Sequence, residues 1–434
     1  MKKILIITYY WPPSGGPGVQ RCVKIAKYLP AYGYEPIIVT VDPEKASYPL
    51  IDSSLVNDLS GDLNVYKTNT SEPFKIYSRI IPGAKLPTPG FANENRKGVF
   101  NKLAKLIRGN LFIPDARKGW NKYALQQCRK IIQKEKISLI LTSSPPHSTQ
   151  LMAMQLSKES GIPWIADLRD PWTDIYYNRH LYRLSFAIRK DSRLEKRVLE
   201  NADAITTVSE ALKELFSSKS NKIDVGKIFV IPNGFDASDF HDHIKYTDNY
   251  FSITYTGTMS DDYPIGAFIK AMESLLENNE NCNIRINIVG QITDNVLNQL
   301  RQSKIAHLMN IHGYMSHTES ISMMQKTTVL LLIIPNAPNN EGIVTGKLFE
   351  YLAARRPILC FGPPNGDASK IIAKCNSGIA FGYNHADQAA AWLSNLLIQW
   401  KHGSELRVGN SYVSDYSRQK QTQYLAQIIS ELVG

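Results

Sequence analysis

The stretch Glu341-Gly-Ile-Val-Thr-Gly-Lys-Leu-Phe-Glu350-Tyr-Leu-Ala-Ala-Arg-Arg-Pro-Ile-Leu359 decides how the rest of the chain is interpreted. Before it, the apolar run from Thr327 to Ile334 predicts a buried strand, and the polar residues from Pro335 to Glu341 predict a turn. A helix then begins near Thr345 with its first backbone N–H groups unpaired. The start of such a helix attracts phosphate.

Four residues at this predicted helix start suit a nucleotide. Thr345 can cap the helix, Gly346 lets a ligand approach the backbone, and Lys347 adds a cation on the first turn. Glu350 lies one turn further on the same face, where its acceptor oxygens can bind the two hydroxyls of a ribose. The alternative is an ordinary amphipathic helix with a solvated Lys and Glu, and these residues alone favour neither interpretation.

Length and composition indicate a two-domain globular protein. A chain of 434 residues exceeds a single typical core, and 43% hydrophobic with 21% charged residues argues against extensive disorder. The five cysteines are scattered without a CxxC pair, which indicates neither a disulfide framework nor a zinc site and favours a reducing cytoplasm. The N-terminal apolar run predicts a buried strand and not a signal peptide, and no run is long enough for a spanning helix. We therefore expect a soluble or peripheral protein.

The net charge of +11 is concentrated in one segment. Between Glu72 and Lys136 there are fifteen Lys and Arg residues and four acidic ones, interleaved with aromatic and aliphatic residues. This pattern is typical of an interfacial surface that binds anionic lipid head groups. A nucleic-acid contact or a solvated face is the alternative.

Strands and helices alternate along the chain, which predicts an α/β protein with parallel sheets. In the first half, a glycine-rich loop follows the strand Lys2–Thr8, at the sheet edge where such proteins bind ligands; a tight turn stiffened by prolines is the alternative. Further strand ends carry Ser143-Ser-Pro-Pro-His147 and Ala166-Asp-Leu-Arg-Asp-Pro-Trp172. Their polar residues are candidates for acceptor or catalytic contacts, or for an Asp–Arg pair that only holds a loop.

The helix motif and the first-half segments resemble family 4 glycosyltransferases of GT-B fold. The resemblance rests on Lys347-Leu-Phe-Glu-Tyr351, on the Ala166–Trp172 segment, and on Pro232-Asn-Gly-Phe-Asp236. In the common form of the motif two Glu residues flank seven others, whereas Glu341 and Glu350 flank eight, so Glu350 is the preferred match.

The resemblance implies two Rossmann-like β/α/β domains facing a cleft, with the last helix crossing back to the first domain. We expect an N-terminal acceptor-side domain over residues 1–240 with a basic insertion at about 72–136, a nucleotide-sugar domain over 241–411, and the returning helix over 412–434.

The resemblance also implies the site residues. The implied donor-binding residues are Gly15, Gly16, Gly18, Gly257, Gly290, Gly313, Tyr314, Met315, Glu341, Gly342, Thr345, Gly346, Lys347 and Glu350. Many relatives place a His-Asp pair at the exit of the Ala166–Leu168 strand, and without that His the first choice for a catalytic residue is Asp170, with Arg169 as a substitute contact. The acceptor-side candidates are His147, Asp167 and Asp170, with His180 as a further alternative.

One departure from the relatives makes Lys347 the expected residue that neutralises the diphosphate charge. Relatives often carry an Arg and a Lys after the loop that corresponds to Thr256-Gly-Thr, but here no cation follows until Lys270. Lys347 then neutralises the diphosphate and is counted with the catalytic residues.

The resulting expectation is a retaining hexosyltransferase that uses a nucleotide sugar without a metal or other cofactor. Its acceptor would be a glycan or a lipid-linked glycan in cell-surface polysaccharide or glycolipid assembly, on the inner face of an anionic cytoplasmic membrane. The alternatives are a GT-B-fold epimerase or phosphorylase, which shares the phosphate site, and a nucleic-acid-binding protein, which would not need that site.

Overall fold

A computed structural model describes residues 1–52, 55–56, 63–72, 99–240, 249–277, 279 and 282–434. The chain divides into two compact units. Among the described residues, the first unit contains those up to Pro232 together with Arg418–Gly434, and the second contains Asn233–Ser417.

The first unit is built on a seven-stranded parallel sheet in the order β3-β2-β1-β4-β5-β6-β7. Its strands are β1 Lys2–Ile7, β2 Tyr34–Val41, β3 Asn64–Thr68, β4 Ile137–Ser144, β5 Trp164–Leu168, β6 Ala204–Thr207 and β7 Ile228–Val230. The order reverses between β1 and β4, and loops at the carboxyl ends of strands beside such a reversal form ligand sites. The register places Asp167 of β5 between Ser143 of β4 and Thr206 of β6.

Apolar cores cover both faces of this sheet, as fully buried parallel strands require. Its helices are α1 Pro17–Tyr28, α2 Val99–Leu111, α3 Asn121–Lys134, α4 Ser148–Ser160, α5 Ser185–Asn201, α6 Glu210–Ser218 and the final helix, α13, Arg418–Val433. Helix α13 contributes Leu425 and Ile429 to the same core as Val23 of α1. Helix α3 buries Ala124, Cys128 and Ile131 in the opposite core, so this part of the predicted basic insertion belongs to the helical layer.

The second unit is built on a six-stranded parallel sheet in the order β10-β9-β8-β11-β12-β13. Its strands are β8 Phe251–Thr256, β9 Ile284–Val289, β10 Met309–Gly313, β11 Val329–Ile333, β12 Ile358–Phe361 and β13 Gly378–Phe381. Its helices are α7 Gly266–Glu277, α8 Asp294–Gln302, α9 His317–Gln325, α10 Gly346–Ala354, α11 Asp367–Lys374 and α12 Ala386–Lys401. The strand order reverses between β8 and β11, and α10 follows β11.

Several boundaries differ from the sequence-based expectation. Strand β3 is absent from that expectation because its mixed residues are only partly buried and show no apolar run. The helix expected from Tyr412 begins at Arg418, since Ser411–Tyr416 form a separate 3-10 turn capped by Asn410 and belong to the second unit. Within the basic segment, residues 73–98 lie outside the described residues, as do residues 241–248 at the start of the expected nucleotide-sugar domain.

Candidate active site

The start of α10 in the second unit leaves polar groups open. Thr345 occupies the N-cap position with extended backbone, but its side chain accepts no hydrogen bond from the helix. Its Oγ1 atom is buried and has no hydrogen-bond partner among the described residues. A buried hydroxyl without a partner costs free energy unless a ligand binds it. Together with the first N–H groups of α10, it forms a site for an anion.

Lys347 on the first turn of α10 lies against Tyr255 of β8. Its Nζ atom donates a hydrogen bond to the Tyr255 hydroxyl at 2.7 Å and lies 4.1 Å from the centroid of that ring. The Tyr255 hydroxyl in turn donates to the Thr258 carbonyl at 2.7 Å, which fixes its orientation. Burial lowers the pKa of Lys347 to about 7, although the carboxylate of Glu350 favours the charged form. The charge on this lysine therefore responds to an arriving anion.

Glycines at three strand ends make room beside Lys347. Gly257 and Gly290 have φ angles of 107° and 117°, which residues with a side chain rarely adopt. A Cβ atom on Gly257 would lie 3.0 Å from Lys347 Nζ, and one on Gly290 would lie 2.3 Å from the Gly257 carbonyl oxygen. Gly290 N–H donates to the Gly313 carbonyl at 2.6 Å. The structure thus brings these three predicted donor-site glycines together at the edge that carries Lys347.

Glu350 lies beside two residues that the sequence did not single out. Its Oε1 atom is 3.9 Å from Nδ1 of His317, and Nε2 of His317 is 3.2 Å from Oδ2 of Asp239. All three side chains are mostly buried. The available signal was that His317 closely follows Gly313, Tyr314 and Met315, the segment expected to hold the base.

The remaining donor-site candidates of the second unit are more exposed. Glu341 is exposed in the 3-10 turn Asn340–Gly342, whereas Gly342 itself is buried. Tyr314 is exposed and Met315 is partly buried.

In the first unit, Asp167 is fully engaged inside the protein. Its two carboxylate oxygens accept hydrogen bonds from Arg21 Nε and Nη2 at 3.0 and 2.8 Å, from Ser143 Oγ at 2.6 Å and from Thr206 Oγ1 at 2.8 Å. Each oxygen therefore accepts two bonds, which uses its acceptor capacity. Burial alone would raise the pKa of Asp167, but the Arg21 guanidinium outweighs burial and holds that pKa below its ordinary value. This geometry leaves Asp167 a role in holding β4, β5 and β6 together.

Arg169 lies over the glycine-rich loop of the same unit. Its Nε atom donates to Ser143 Oγ and to the Ser144 carbonyl, both at 3.1 Å. A Cβ atom on Gly18 would lie 2.4 Å from Arg169 Nη1, so a side chain at this position would displace the guanidinium. In the same loop, Gly16 has a φ of 104°, and a Cβ on Gly15 would lie 2.9 Å from the Asp52 Cβ.

Asp170 and His147 occupy the same carboxyl edge of the first sheet. Burial raises the pKa of Asp170, and nearby Arg169 partly offsets this effect. His147 stacks on Trp172 with ring centroids 4.6 Å apart, and burial with help from Arg169 lowers its pKa to about 3. His147 is therefore neutral near pH 7 and packed against an aromatic ring. Burial also raises the pKa of Tyr177 well above its ordinary value, and the Asp170 charge adds to this shift.

Another buried polar cluster was missed from the sequence. The Tyr9 hydroxyl donates to Glu72, Arg117 lies 3.6 Å from the same carboxylate, and Arg117 donates to the Ser47 carbonyl at 2.7 Å. Both charged residues belong to the basic segment yet are buried. Part of that segment is therefore internal to the first unit.

Two features are absent from the described ranges. No group of three or more His, Cys, Asp or Glu side chains is arranged there to hold a metal ion. None of the helices in the described part of the chain is both long and apolar enough to span a membrane.

Comparisons with known proteins agree with these features. The profile of the family described as Glycosyltransferase Family 4 matches residues 18–239, more than half of the chain. No curated protein sequence matches the chain.

Several solved structures share the fold over nearly the whole chain. HepE of Anabaena, solved with UDP and glucose, is 14% identical with a TM-score of 0.60, covering 99% of this chain and 100% of its own. The lipopolysaccharide outer core galactosyltransferase WaaB is 10% identical with a TM-score of 0.59, covering 99% of both chains. TarM of S. aureus is 13% identical with a TM-score of 0.63, also covering 99% of both. The two parallel sheets with their helices match this GT-B fold.

Proposed function

The chain belongs to glycosyltransferase family 4, and we propose that it transfers a sugar from a nucleoside-diphosphate donor to a hydroxyl group of an acceptor. In this reaction the bond between the anomeric carbon and the diphosphate oxygen breaks, and a bond from that carbon to the acceptor oxygen forms. The diphosphate leaves with the bonding electron pair, and the acceptor hydroxyl loses its proton. The main electrostatic requirement is a set of groups that stabilise the departing diphosphate.

The observation that carries this proposal is the open start of α10. Thr345 Oγ1 is a buried donor without a partner in the described part of the chain, and the first N–H groups of α10 lie beside it. Lys347 supplies a cation, and Gly257 keeps the space around its amine clear. These groups suit a diphosphate, and the Glu350 carboxylate one turn further suits the two ribose hydroxyls.

Lys347 and the helix start supply the positive charge that a metal ion supplies in other transferases. We therefore propose that the reaction needs no metal or other cofactor, and that it proceeds with retention as the family resemblance implies. A hexose donor is supported by HepE, which was solved with UDP and glucose, and by the galactosyltransferase WaaB.

Asp170 and Arg169 are the acceptor-side residues of this proposal. Asp170 has a raised pKa, which suits a carboxylate that receives the acceptor proton. Arg169 keeps its terminal nitrogens over Gly18, where they can hold a negatively charged group. His147 is stacked and neutral, which suits a contact in the acceptor pocket more than proton transfer.

We also propose a role in building cell-surface polysaccharide or glycolipid on the inner face of the cytoplasmic membrane. WaaB is named as a lipopolysaccharide outer core galactosyltransferase, and the G117R variant of TarM was solved with UDP and α-GlcNAc-glycerol, which supports this role. The acceptor of this chain would be a glycan or a lipid-linked glycan. The partner would be an anionic membrane and not nucleic acid.

The direct test is thermal-shift measurement with UDP, GDP, ADP and dTDP, each with its glucose and galactose conjugates. A ligand that binds the folded chain raises its melting temperature. We expect one diphosphate and its sugar conjugate to stabilise the protein without added metal, and its conjugate to be slowly hydrolysed when acceptor is absent. Equal melting temperatures with every nucleotide would contradict the proposal.

A further inference from the structure

We propose that the first unit docks on an anionic lipid bilayer through the end of α2 and the segment 181–190. The inference deepens the proposed function, because it rests on a lipid-linked acceptor. It differs from the broad basic segment recognised in the sequence, since residues 181–190 lie outside that segment.

Hydrogen bonds join the two parts of this surface. Asn110 of α2 donates from Nδ2 to the Tyr182 carbonyl at 2.7 Å, and its Oδ1 accepts from the Leu184 N–H at 2.7 Å. Gly109 packs so closely on the segment that an added Cβ would lie 3.0 Å from Arg183 Cγ. Arg183 is itself held by an ion pair with Asp191 of α5. The surface is therefore a fixed part of the fold.

Large apolar side chains are exposed along this surface. We define the apolar ridge as Leu106, Leu111, Tyr182, Leu184, Phe186 and Ile188. Their exposed fractions run from 37% for Leu106 to 63% for Leu111. Single exposed apolar residues are normal, but here six are exposed on two segments that hydrogen bonds hold together, which favours a binding surface.

Basic residues predominate around the ridge, although Arg183 is paired with Asp191. Residues 99–114 and 176–190 contain no Asp or Glu, and their basic residues are Lys102, Lys105, Arg108, Arg179, Arg183, Arg189 and Lys190. On α5, Phe186, Arg189 and Arg193 are spaced to lie on one helix face. Basic residues beside exposed apolar side chains are the pattern of a surface that enters the head-group region of an anionic bilayer.

The same charge disfavours other occupants. A second copy of this surface would bring like charges together, which costs free energy. Nucleic acid would match the charge, but four of the six ridge residues are aliphatic and offer no ring on which bases stack. Hydrocarbon is the environment in which the whole ridge gains free energy on burial.

The surface adjoins the acceptor-side residues within the same unit. The charge of Arg108 on α2 acts on the Tyr177 hydroxyl, and Tyr177 in turn lies within electrostatic reach of Asp170. A lipid-linked acceptor held at this surface would therefore lie on the same unit as Asp170.

The ridge is tested by sedimentation of the full chain with vesicles of phosphatidylglycerol and phosphatidylcholine in equal parts. The double variant Phe186→Ser/Ile188→Ser should bind these vesicles at least about tenfold more weakly than the wild type. The matched control is Ile398→Ser, which alters another helical isoleucine with the same 48% exposure in the second unit. This control should bind like the wild type, and both variants should keep nucleotide binding.

The role of charge is tested by the double variant Arg189→Glu/Lys190→Glu. Its matched control is Lys130→Glu/Lys134→Glu, which reverses the charge of two exposed basic residues of α3. Only the first pair should lose vesicle binding, and wild-type binding should fall in high salt. Equal sedimentation of ridge variant and Ile398→Ser would overturn the inference, as would wild-type binding to RNA but not to vesicles. Transfer to a soluble acceptor tests the proposed function separately, because it does not require the bilayer.

A second, independent observation concerns the second unit: we infer that His317 is a positioning residue for Glu350. The inference rests on the proposed contact between Glu350 and ribose. His317 is the first residue of α9, where Ser316 and Glu319 form a capping box that fixes this turn. Asp239 stands on the other side of the ring, at 3.2 Å from Nε2.

Both ring nitrogens of His317 face carboxylate oxygens. Nε2 faces Asp239 and Nδ1 faces Glu350, so the ring donates toward both residues only as an imidazolium. In that form the positive charge of the ring attracts the Glu350 carboxylate and orients it.

The test compares UDP with 2′,3′-dideoxy-UDP by calorimetry. The wild type should prefer UDP, and both Glu350→Gln and His317→Ala should reduce that preference. The double variant should lose no more than Glu350→Gln alone, because the two residues act through one contact. His307→Ala, which alters an exposed histidine of the same unit, is the control and should keep the preference.

The two ideas fail in different ways. If the wild type binds both nucleotides equally, the ribose contact of Glu350 is wrong. If Glu350→Gln loses the preference while His317→Ala keeps it, the ribose contact stands and the positioning role of His317 is overturned.

Discussion

Two buried polar groups, one in each unit, have opposite hydrogen-bonding environments. In the first unit, Asp167 is saturated by Arg21, Ser143 and Thr206 inside the sheet. In the second unit, Thr345 Oγ1 has no partner in the described structure, and burial lowers the pKa of Lys347. A polar group whose hydrogen bonds are all made stabilises the fold, whereas a buried polar group without a partner can bind a ligand. A polar residue near the carboxyl edge of a sheet is therefore not by itself evidence of function.

The largest expected effect tests the structural half of this comparison. Asp167→Ala would leave Arg21 buried without its partner, which should lower the free energy of unfolding by about 3–5 kcal/mol. Urea unfolding followed by tryptophan fluorescence would measure it, since Trp11, Trp120, Trp164 and Trp172 lie in the first unit.

The control for this prediction is the exposed pair Arg129–Glu159 on the same unit. Glu159→Gln should change the unfolding free energy by less than about 1 kcal/mol, because exposed ion pairs contribute little. If the Asp167→Ala protein were as stable as the wild type but inactive, Asp167 would instead act as an acceptor-side residue.

The next effect tests the group at the start of α10 in the second unit. Lys347→Ala should reduce turnover by about 10²–10³-fold, as for loss of a group that stabilises developing charge. Binding of uridine without phosphates should stay unchanged. Steady-state kinetics and calorimetry measure the two quantities, with Lys370→Ala, an exposed lysine of α11, as the control. Equal turnover in the Lys347 variant and the wild type would contradict the role.

A smaller effect separates the two acidic residues of the motif. Glu350→Gln should keep the fold and weaken nucleotide binding by about 1–3 kcal/mol, the range for a lost charge-assisted hydrogen bond. Glu341→Gln should change binding less, because Glu341 is exposed in its turn. Equal losses in both variants would show that the eight-residue spacing still brings Glu341 to the donor.

The same contrast explains how much the sequence could reveal. The apolar runs of β1 and β11 and the helix start near Thr345 were predicted because buried parallel strands and helix caps have local signals. The GT-B fold and the family were predicted from motifs and are confirmed by the comparisons. The assignments of individual site residues remain predictions.

The parts that escaped prediction depend on long-range contacts. Arg21 meets Asp167 only because α1 packs beside β5, and the two residues are far apart in the chain. His317 reaches Asp239 and Glu350 from a third segment. A sequence motif shows neither the partner that saturates a carboxylate nor the one that orients it.

The smallest effect is a pH dependence of nucleotide binding, which we expect to come from Lys347 in the second unit. In the free protein burial lowers the pKa of Lys347 to about 7, so the amine is charged below that pH and increasingly neutral above it. A bound diphosphate favours the charged form and raises this pKa, so binding above about pH 7 takes up a proton. The dissociation constant of UDP should therefore rise by up to about tenfold per unit as pH increases above 7.

Calorimetry in two buffers of different ionisation enthalpy would count the proton taken up. Lys347→Arg is the matched variant, since an arginine stays charged throughout this range and should make the affinity nearly independent of pH. Asp167→Asn is not expected to alter the dependence, because its effect is confined to the fold of the first unit. A wild-type dissociation constant that stays flat from pH 7 to about pH 9 would mean that Lys347 is already charged in the free protein, and that its contacts with Tyr255 and Glu350 compensate for burial.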